Sequence, residues 1–215
     1  MRMRVTVFGA TGQIGSRIAA EARARGHEVT AVVRTPRRPG ALPPGVSVRT
    51  GDAADAAAVA ALGAGQDLIV GATRPAPGAE DQLPAMARGL LAGAAASGVR
   101  LMLVGGSATL TLPGSGGVAV MDGPDFPAEW LPIARACAVQ LAVCRAAGPD
   151  ADWTYASPPH LILPGERTGR YRLGADELVV DDAGESSISM EDFAVALLDE
   201  AEQPKHHRTR FTVGY

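Results

Sequence analysis

Near the start of the chain, glycines recur at the first, fourth and seventh places of Gly9-Ala10-Thr11-Gly12-Gln13-Ile14-Gly15, between a β-branched run and an amphipathic one. Residues 3–8 read as a strand, and 13–25 carry apolar side chains at Ile14, Ile18, Ala19 and Ala22, the spacing of one helical face. Gly26 ends that helix and 28–33 supplies a second strand, which completes a βαβ unit. A strand that turns at once into a helix leaves the first N–H groups of the helix unpaired. The first glycine permits the sharp turn, the second lets the backbone approach a ligand, and the third lets the helix pack close. Free amides from Thr11 to Ile14, at the positive end of the helix dipole, then form a seat for a pyrophosphate. Gly9, Thr11, Gly12, Gln13, Ile14 and Gly15 are therefore the expected dinucleotide contacts.

The alternation continues. Residues 46–49 read as a third strand, 55–62 as a short helix, 67–70 as a fourth strand, 80–96 as a longer helix and 100–104 as a fifth strand. A long stretch rich in Gly and Pro follows over 105–127, longer than loops usually run without a functional reason, and it is read as part of a site wall. Pro132 fits the first turn of a helix that runs to 145, and 153–156 is a sixth strand followed by a loop over 157–169. Two extended runs within 171–180 flank Gly174-Ala175-Asp176-Glu177 and predict a hairpin at the edge of the cleft. Ser189 is a plausible N-cap with Asp192 three residues on, opening a helix to 201; Pro204 closes it and 210–213 is a last strand.

This order predicts an α/β fold: a doubly wound parallel sheet of the Rossmann type, with a small C-terminal hairpin and helix edging the cleft. It fits a single domain over 1–215, without internal repeat or linker. Apolar residues make up 47% of the chain and aromatics only 4%, so the core falls to Ala, Val, Leu and Ile, which suits a sheet covered by helices on both faces. In such sheets the ligand crevice lies at the carboxyl ends of the strands.

A net charge of -3 gives no footprint for nucleic acid or an anionic membrane, so the expected partner is a small molecule. No apolar run approaches the roughly 20 residues of a membrane span. Basic Met1-Arg2-Met3-Arg4 leads into a strand and a glycine turn rather than a signal-peptide core, and the expected compartment is the cytoplasm. Cys137 and Cys144 stand about 10 Å apart on one helix, beyond disulfide reach, and are expected to be reduced. His206 and His207 lack partnered ligand spacing, and no metal site is expected. The oligomeric state is left open, a homodimer included.

At the end of the second strand an acidic residue would bind the ribose of NAD. This chain has Arg34 there, with Arg37 and Arg38 soon after, and a guanidinium suits a 2′-phosphate. The expected cofactor is NADP(H) in preference to NAD(H); for Arg37 and Arg38 a solvated loop face stands as an equal alternative. Ala72 after the fourth strand, and Ser157 and Pro158 after the sixth, complete the expected cofactor contacts.

The G-x-x-G-x-x-G spacing resembles the short-chain dehydrogenase/reductase superfamily, particularly its extended and atypical branches. In that resemblance Asp52, after the third strand, accepts from the adenine amine; a helix N-cap is its structural alternative. Members of the superfamily usually protonate a substrate carbonyl with a Tyr four residues before a Lys. The tyrosines here are Tyr155, Tyr171 and Tyr215; four residues beyond the first two stand Pro159 and Ala175, and 132–140 holds neither Tyr nor Lys.

What remains resembles the atypical flavin reductase and biliverdin-IXβ reductase group. Gly105-Gly106-Ser107-Ala108 after the fifth strand, Ser157-Pro158-Pro159-His160-Leu161 after the sixth, Arg167-Thr168-Gly169-Arg170-Tyr171 and Ile188-Ser189-Met190-Glu191-Asp192-Phe193-Ala194 carry the likeness. The resemblance implies hydride transfer to a flat acceptor such as a flavin, tetrapyrrole or quinone, with flavin as substrate rather than prosthetic group. In it Ser107 hydrogen-bonds the acceptor or nicotinamide amide and His160 lines the mouth; a loop-capping hydroxyl and a packed or solvent-facing histidine are the structural alternatives. Phe126 and Trp130 are read as apolar lid anchors or an aromatic wall. A catalytically silent NADP(H) sensor, as in the nitrogen-metabolite repressor group, is the alternative function. A sugar-nucleotide epimerase or dehydratase is disfavoured by the missing Tyr–Lys pair.

Overall fold

The computed structural model describes residues 2–35 and 42–215. In chain order β1 is Arg4–Phe8, α1 Gln13–Ala24, β2 Glu28–Val33, β3 Ser47–Thr50, α2 Ala56–Gly63, β4 Leu68–Gly71, α3 Leu83–Ser97 and β5 Arg100–Val104. There follow α4 Leu131–Arg145, β6 Trp153–Ser157, β7 Leu161–Leu163, β8 Arg172–Gly174, β9 Ser187–Ser189, α5 Met190–Glu202 and β10 Thr209–Gly214. Eight strands form one sheet in the order β3-β2-β1-β4-β5-β6-β10-β8. All neighbours pair in parallel except β8, which runs antiparallel to β10 at the edge. The strand order reverses between β1 and β4, and the crevice of a doubly wound sheet opens at that reversal.

Side-chain alternation divides the core into two layers. Val5, Val7, Met102 and Val104 face α1 and α5, where Ile18, Ala22, Phe193 and Leu197 meet them. Phe8, Ile69, Leu101 and Leu103 face α2, α3 and α4. These residues are sealed because helices cover both faces of the sheet.

Polar contacts lock α1 to α5. Arg25 bonds Glu21 at 2.8 Å, Asp199 at 2.7 Å and Glu202 at 2.8 Å, and Arg167 reaches back to Glu21 through two bonds of 2.7 Å. Ser189 caps α5, accepting the Asp192 N–H at 2.9 Å, as its position implies. Sealed Asp192 in turn accepts from Thr168, Gly169 and Tyr215. The segment over 165–171 is thereby pinned across the outer face of both helices.

The hairpin expected over 171–180 takes a different form. The chain does reverse at Gly174-Ala175-Asp176-Glu177, but the two runs take separate partners. The first, β8, pairs with β10, while Glu177 bridges Thr111 and the Leu178 N–H donates to the Thr111 carbonyl at 3.0 Å. A turn in sequence brings the runs together without deciding which chain saturates their backbone groups. This segment does not border the large cavity; the loop over 158–163 takes that place, where β7 pairs in parallel with β9.

Candidate functional site

The turn between β1 and α1 is built by two backbone approaches. Gly9 has φ +80°, and a Cβ there would collide with the Ala72 carbonyl oxygen. A Cβ on Gly15 would collide with the carbonyl oxygen of Gly9. Gly12, in extended conformation, is the N-cap of α1, with no side-chain cap and no acidic residue in the first turn. Asp55, by contrast, caps α2 by accepting from Ala57 and Ala58 N–H, at 3.0 and 3.2 Å. The Gly12 N–H is spent on the Gly9 carbonyl at 2.9 Å, so the amides left for an anion are those of Thr11, Gln13 and Ile14.

These amides open into a cavity of about 690 Å³ at the carboxyl ends of the strands. Gly9, Thr11, Gly12, Gln13 and Ile14 form one wall, Arg34 and Asp52 another, with Ala72 and Arg74 after β4, Ser107 after β5, and Pro158, Pro159 and His160 after β6. Six strand ends, from β1 to β6, thus converge on one volume. Gly15 is buried behind the turn, where its part is packing. Ser157 is fully buried: its carbonyl accepts the Thr212 hydroxyl at 3.0 Å, and the cavity wall begins one residue later, at Pro158. As the last residue of β6, between β5 and β10, its side chain points into the protein rather than into the crevice.

Arg34 is exposed at the end of β2, and among the described residues it makes no ion pair or hydrogen bond. Arg37 and Arg38 lie outside the described residues. Asp52 accepts the Ala54 N–H at 2.9 Å, a local turn, while the cap of α2 is Asp55. The structural alternative for Asp52 therefore falls to its neighbour, and Asp52 itself borders the cavity.

Ser107 is half-buried. Its carbonyl accepts the Leu110 N–H at 2.8 Å, but its hydroxyl bonds no described residue, so it does not cap the loop. His160 is exposed; its backbone N–H donates to the Ser186 hydroxyl at 3.3 Å and its ring bonds no described residue. The stretch over 105–127 does supply wall, as its length implied, through Gly105, Gly106, Ser107, Ala108 and Phe126. Leu110, Val120 and Leu178 give it a small core of its own, with Phe126 packed against it. Buried Arg210 anchors it from β10, bonding Thr109 at 2.8 Å and pairing with Asp176.

Arg74 and Gln140 line the wall without having carried a sequence signal, and Cys137, read from the sequence only as a reduced thiol, joins them. Burial pushes the Cys137 thiol up to about 11, against the pull of the Arg74 guanidinium, so it stays a thiol at neutral pH. Burial pushes Cys144 up to about 12, and both cysteines are free. Among the described residues no helix is long and apolar enough to cross a membrane.

The residues fit a dinucleotide. The glycine cradle excludes any side chain from the turn, open amides face the cavity, and a guanidinium stands at the end of β2. Residues 9–204 match the model of a family described as NAD(P)H-binding. A candidate exported protein from Burkholderia pseudomallei has a similar structure, with a TM-score of 0.88 and 41% identity over 99% of this chain and 100% of that one. A candidate epimerase from Bacteroides thetaiotaomicron gives 0.90 and 36%, covering 100% and 98%. A candidate NADH-flavin reductase from Streptococcus pneumoniae gives 0.85 and 30%, covering 99% of each chain. The three descriptions differ, so the reaction has to be argued from the site.

Proposed function

Because this chain belongs to the NAD(P)H-binding family, we propose that it is an NADPH-dependent oxidoreductase that passes a hydride to a flat conjugated acceptor such as a flavin, a quinone or a tetrapyrrole. The observation that carries the reading is the shared cavity: the open glycine turn, the Ser107 hydroxyl, the His160 ring and the apolar surfaces of Phe126 and Trp130 border one volume. Such a cavity has room for a dinucleotide's reactive end and one planar ring system together. The flavin reductase description of the pneumococcal relative, which spans the full length of this chain, points the same way.

Held there, NADPH would supply the hydride, and an acceptor of this kind would complete its reduction with a proton from water. Thr11, Gln13 and Ile14 hold the pyrophosphate through backbone N–H groups, and Arg34 pairs with the 2′-phosphate, the basis of the preference for NADP(H). Asp52 accepts from the adenine amine. Ser107 hydrogen-bonds the acceptor or the nicotinamide amide, and His160 positions the acceptor at the mouth. Helix α4 offers neither Tyr nor Lys, so acceptors that need a protein-borne proton at a carbonyl are poorly served. Rings that gain electrons without such a donor need orientation and the exclusion of bulk water. The cytoplasm, where NADPH is regenerated, is the compartment this reaction requires.

Mixing the purified protein with NADPH and excess FMN or menadione, and following the nicotinamide absorbance band, tests the proposal. Consumption above the rate without protein is the expected result. Measurable NADPH binding with no consumption on any flavin or quinone would replace the reductase with a cofactor sensor.

A further inference from the structure

Gln140, on α4, is a buried amide with half of its hydrogen bonding unspent. It is 2% exposed and borders the cavity. Its Oε1 accepts the Tyr155 hydroxyl proton at 2.9 Å. Its Nε2 bonds no described residue, yet it is not among the sealed polar atoms left without a partner, which are Arg23 Nε, His27 Nε2, Arg100 Nε, Trp153 Nε1 and Ser157 Oγ. The amide nitrogen therefore opens to the cavity, carrying two donors and no acceptor. A donor so nearly buried costs stability unless something in the cavity accepts from it.

Tyr155 decides which end of the amide faces the cavity. Its ring lies directly beneath Gly105, where a Cβ would collide with it. Its hydroxyl oxygen accepts the Gly106 N–H at 3.4 Å, and its single proton has two acceptors in reach, Gln140 Oε1 at 2.9 Å and the Cys137 carbonyl at 3.3 Å. Burial holds the phenol protonated far above the ordinary range, so it remains a donor at every physiological pH. The nearer acceptor takes the proton, Oε1 is fixed inward, and Nε2 is left to the cavity.

We infer that Gln140 is a substrate-binding residue whose amide N–H groups donate to a carbonyl oxygen or ring nitrogen on the edge of the flat acceptor, and that Tyr155 is the positioning residue that orients it. The identity of the acceptor rests on the reductase reading above. Within that class Gln140 selects rings edged by hydrogen-bond acceptors, as in the pyrimidine edge of a flavin or a quinone carbonyl. It disfavours flat hydrocarbons, which leave the donor unpaired. Gly105 and Gly106 rest on the same Tyr155 side chain, and Ser107 follows them directly in the chain.

The test measures FMN binding to the NADP⁺-saturated protein by flavin fluorescence, alongside NADPH affinity, thermal stability and turnover. Gln140→Leu keeps the volume and leaves the Tyr155 hydroxyl the Cys137 carbonyl as an alternative partner. It should weaken FMN about tenfold, the loss expected for one hydrogen bond, with NADPH affinity unchanged. Tyr155→Phe should weaken FMN less, and adding it to Gln140→Leu should have no further effect, because it acts through the same amide. Unchanged FMN affinity in Gln140→Leu, or an equal loss of NADPH affinity, overturns the assignment while the reductase reading stands on wild-type turnover. A wild-type protein that neither binds nor reduces FMN and menadione overturns both.

Discussion

Gly15 lies directly on the carbonyl of Gly9, and Gly9 in turn lies on the carbonyl of Ala72, so three peptide groups from β1, α1 and the end of β4 touch without any intervening side chain. This stack sets how deeply the first turn of α1 enters the crevice. Gly9→Ala is expected to strain a residue at φ +80°, at about 1–2 kcal/mol, and also to displace the Ala72 backbone. NADPH affinity should fall at least about tenfold, more than the strain alone accounts for. Gly26→Ala is the control: it shares the left-handed backbone at φ +85° but has nothing within 4 Å of its added carbon. It should lose stability and keep its NADPH affinity. Fluorescence titration with thermal melts on both variants separates strain from steric exclusion; equal effects on affinity would mean that the stack does not shape the cofactor seat.

Arg34 stands at the end of β2, exposed and bordering the cavity. A charge-assisted bond to a 2′-phosphate contributes about 1.5–3 kcal/mol. Arg34→Ala should therefore raise the Kd for NADPH about tenfold to a hundredfold and leave that for NADH nearly unchanged. Parallel titrations with the two nucleotides decide it, and equal losses on both would remove Arg34 from the 2′-phosphate.

On the opposite side of the molecule, Glu200 governs acid stability. Burial pushes its carboxyl upward, but the His206 N–H and ring, the Lys205 N–H and the Arg100 guanidinium outweigh this and bring it from 4.5 down to about 2. A carboxyl that titrates lower in the folded than in the unfolded state stabilises the fold fully above pH 4.5 or so, and loses that contribution as the pH falls towards 2. Glu200→Gln, which leaves buried Arg100 only the more distant Asp152 carboxylate at 3.9 Å, should cost about 3 kcal/mol at pH 7. The deficit relative to wild type should shrink between pH 5 and pH 2. Denaturant melts of both proteins across that range check the convergence, and a constant gap would assign the loss to shape rather than charge.

Much of the architecture was legible because it is written locally. The glycine spacing, the apolar periodicity of α1, the cap at Ser189 and the β-branched runs each act over a few residues, and β2 and β5 fall at the predicted ends. Contacts made across the chain were not legible. The three-residue strand β7 exists only because Ser187–Ser189 lies beside it, and Glu177 finds Thr111 rather than the run before the turn. Ser157 reads like its neighbour Pro158, and only the packing of β10 against the end of β6 shows that Ser157 is buried and the cavity wall begins one residue later. Gln140 was part of a helix notable for lacking Tyr and Lys; its meaning depends on Tyr155, which arrives from β6 on the far side of a helix and a loop. A pattern one residue wide cannot announce a partner fifteen positions away.

Trp130 offers the most direct view of the acceptor. It ends a short 3₁₀ turn before α4, is 49% exposed and borders the cavity together with Phe126, whose other face packs on the loop core of Leu110, Val120 and Leu178. Of the pair, Phe126 anchors the wall and Trp130 has surface to spare. An indole stacked on a planar ring contributes about 0.5–1.5 kcal/mol beyond its buried area. Trp130→Ala should therefore raise the KM for FMN about two- to tenfold while leaving kcat, NADPH affinity and, given its exposure, thermal stability close to wild type. The chain has a second tryptophan, Trp153, which is buried within β6 and does not border the cavity. Quenching of protein fluorescence by FMN should accordingly come from Trp130 and fall sharply in the variant. Loss of stability with an unaltered KM would make Trp130 an anchor of the loop instead, and would leave the acceptor resting on the α4 side of the cavity, where Cys137 and Gln140 lie.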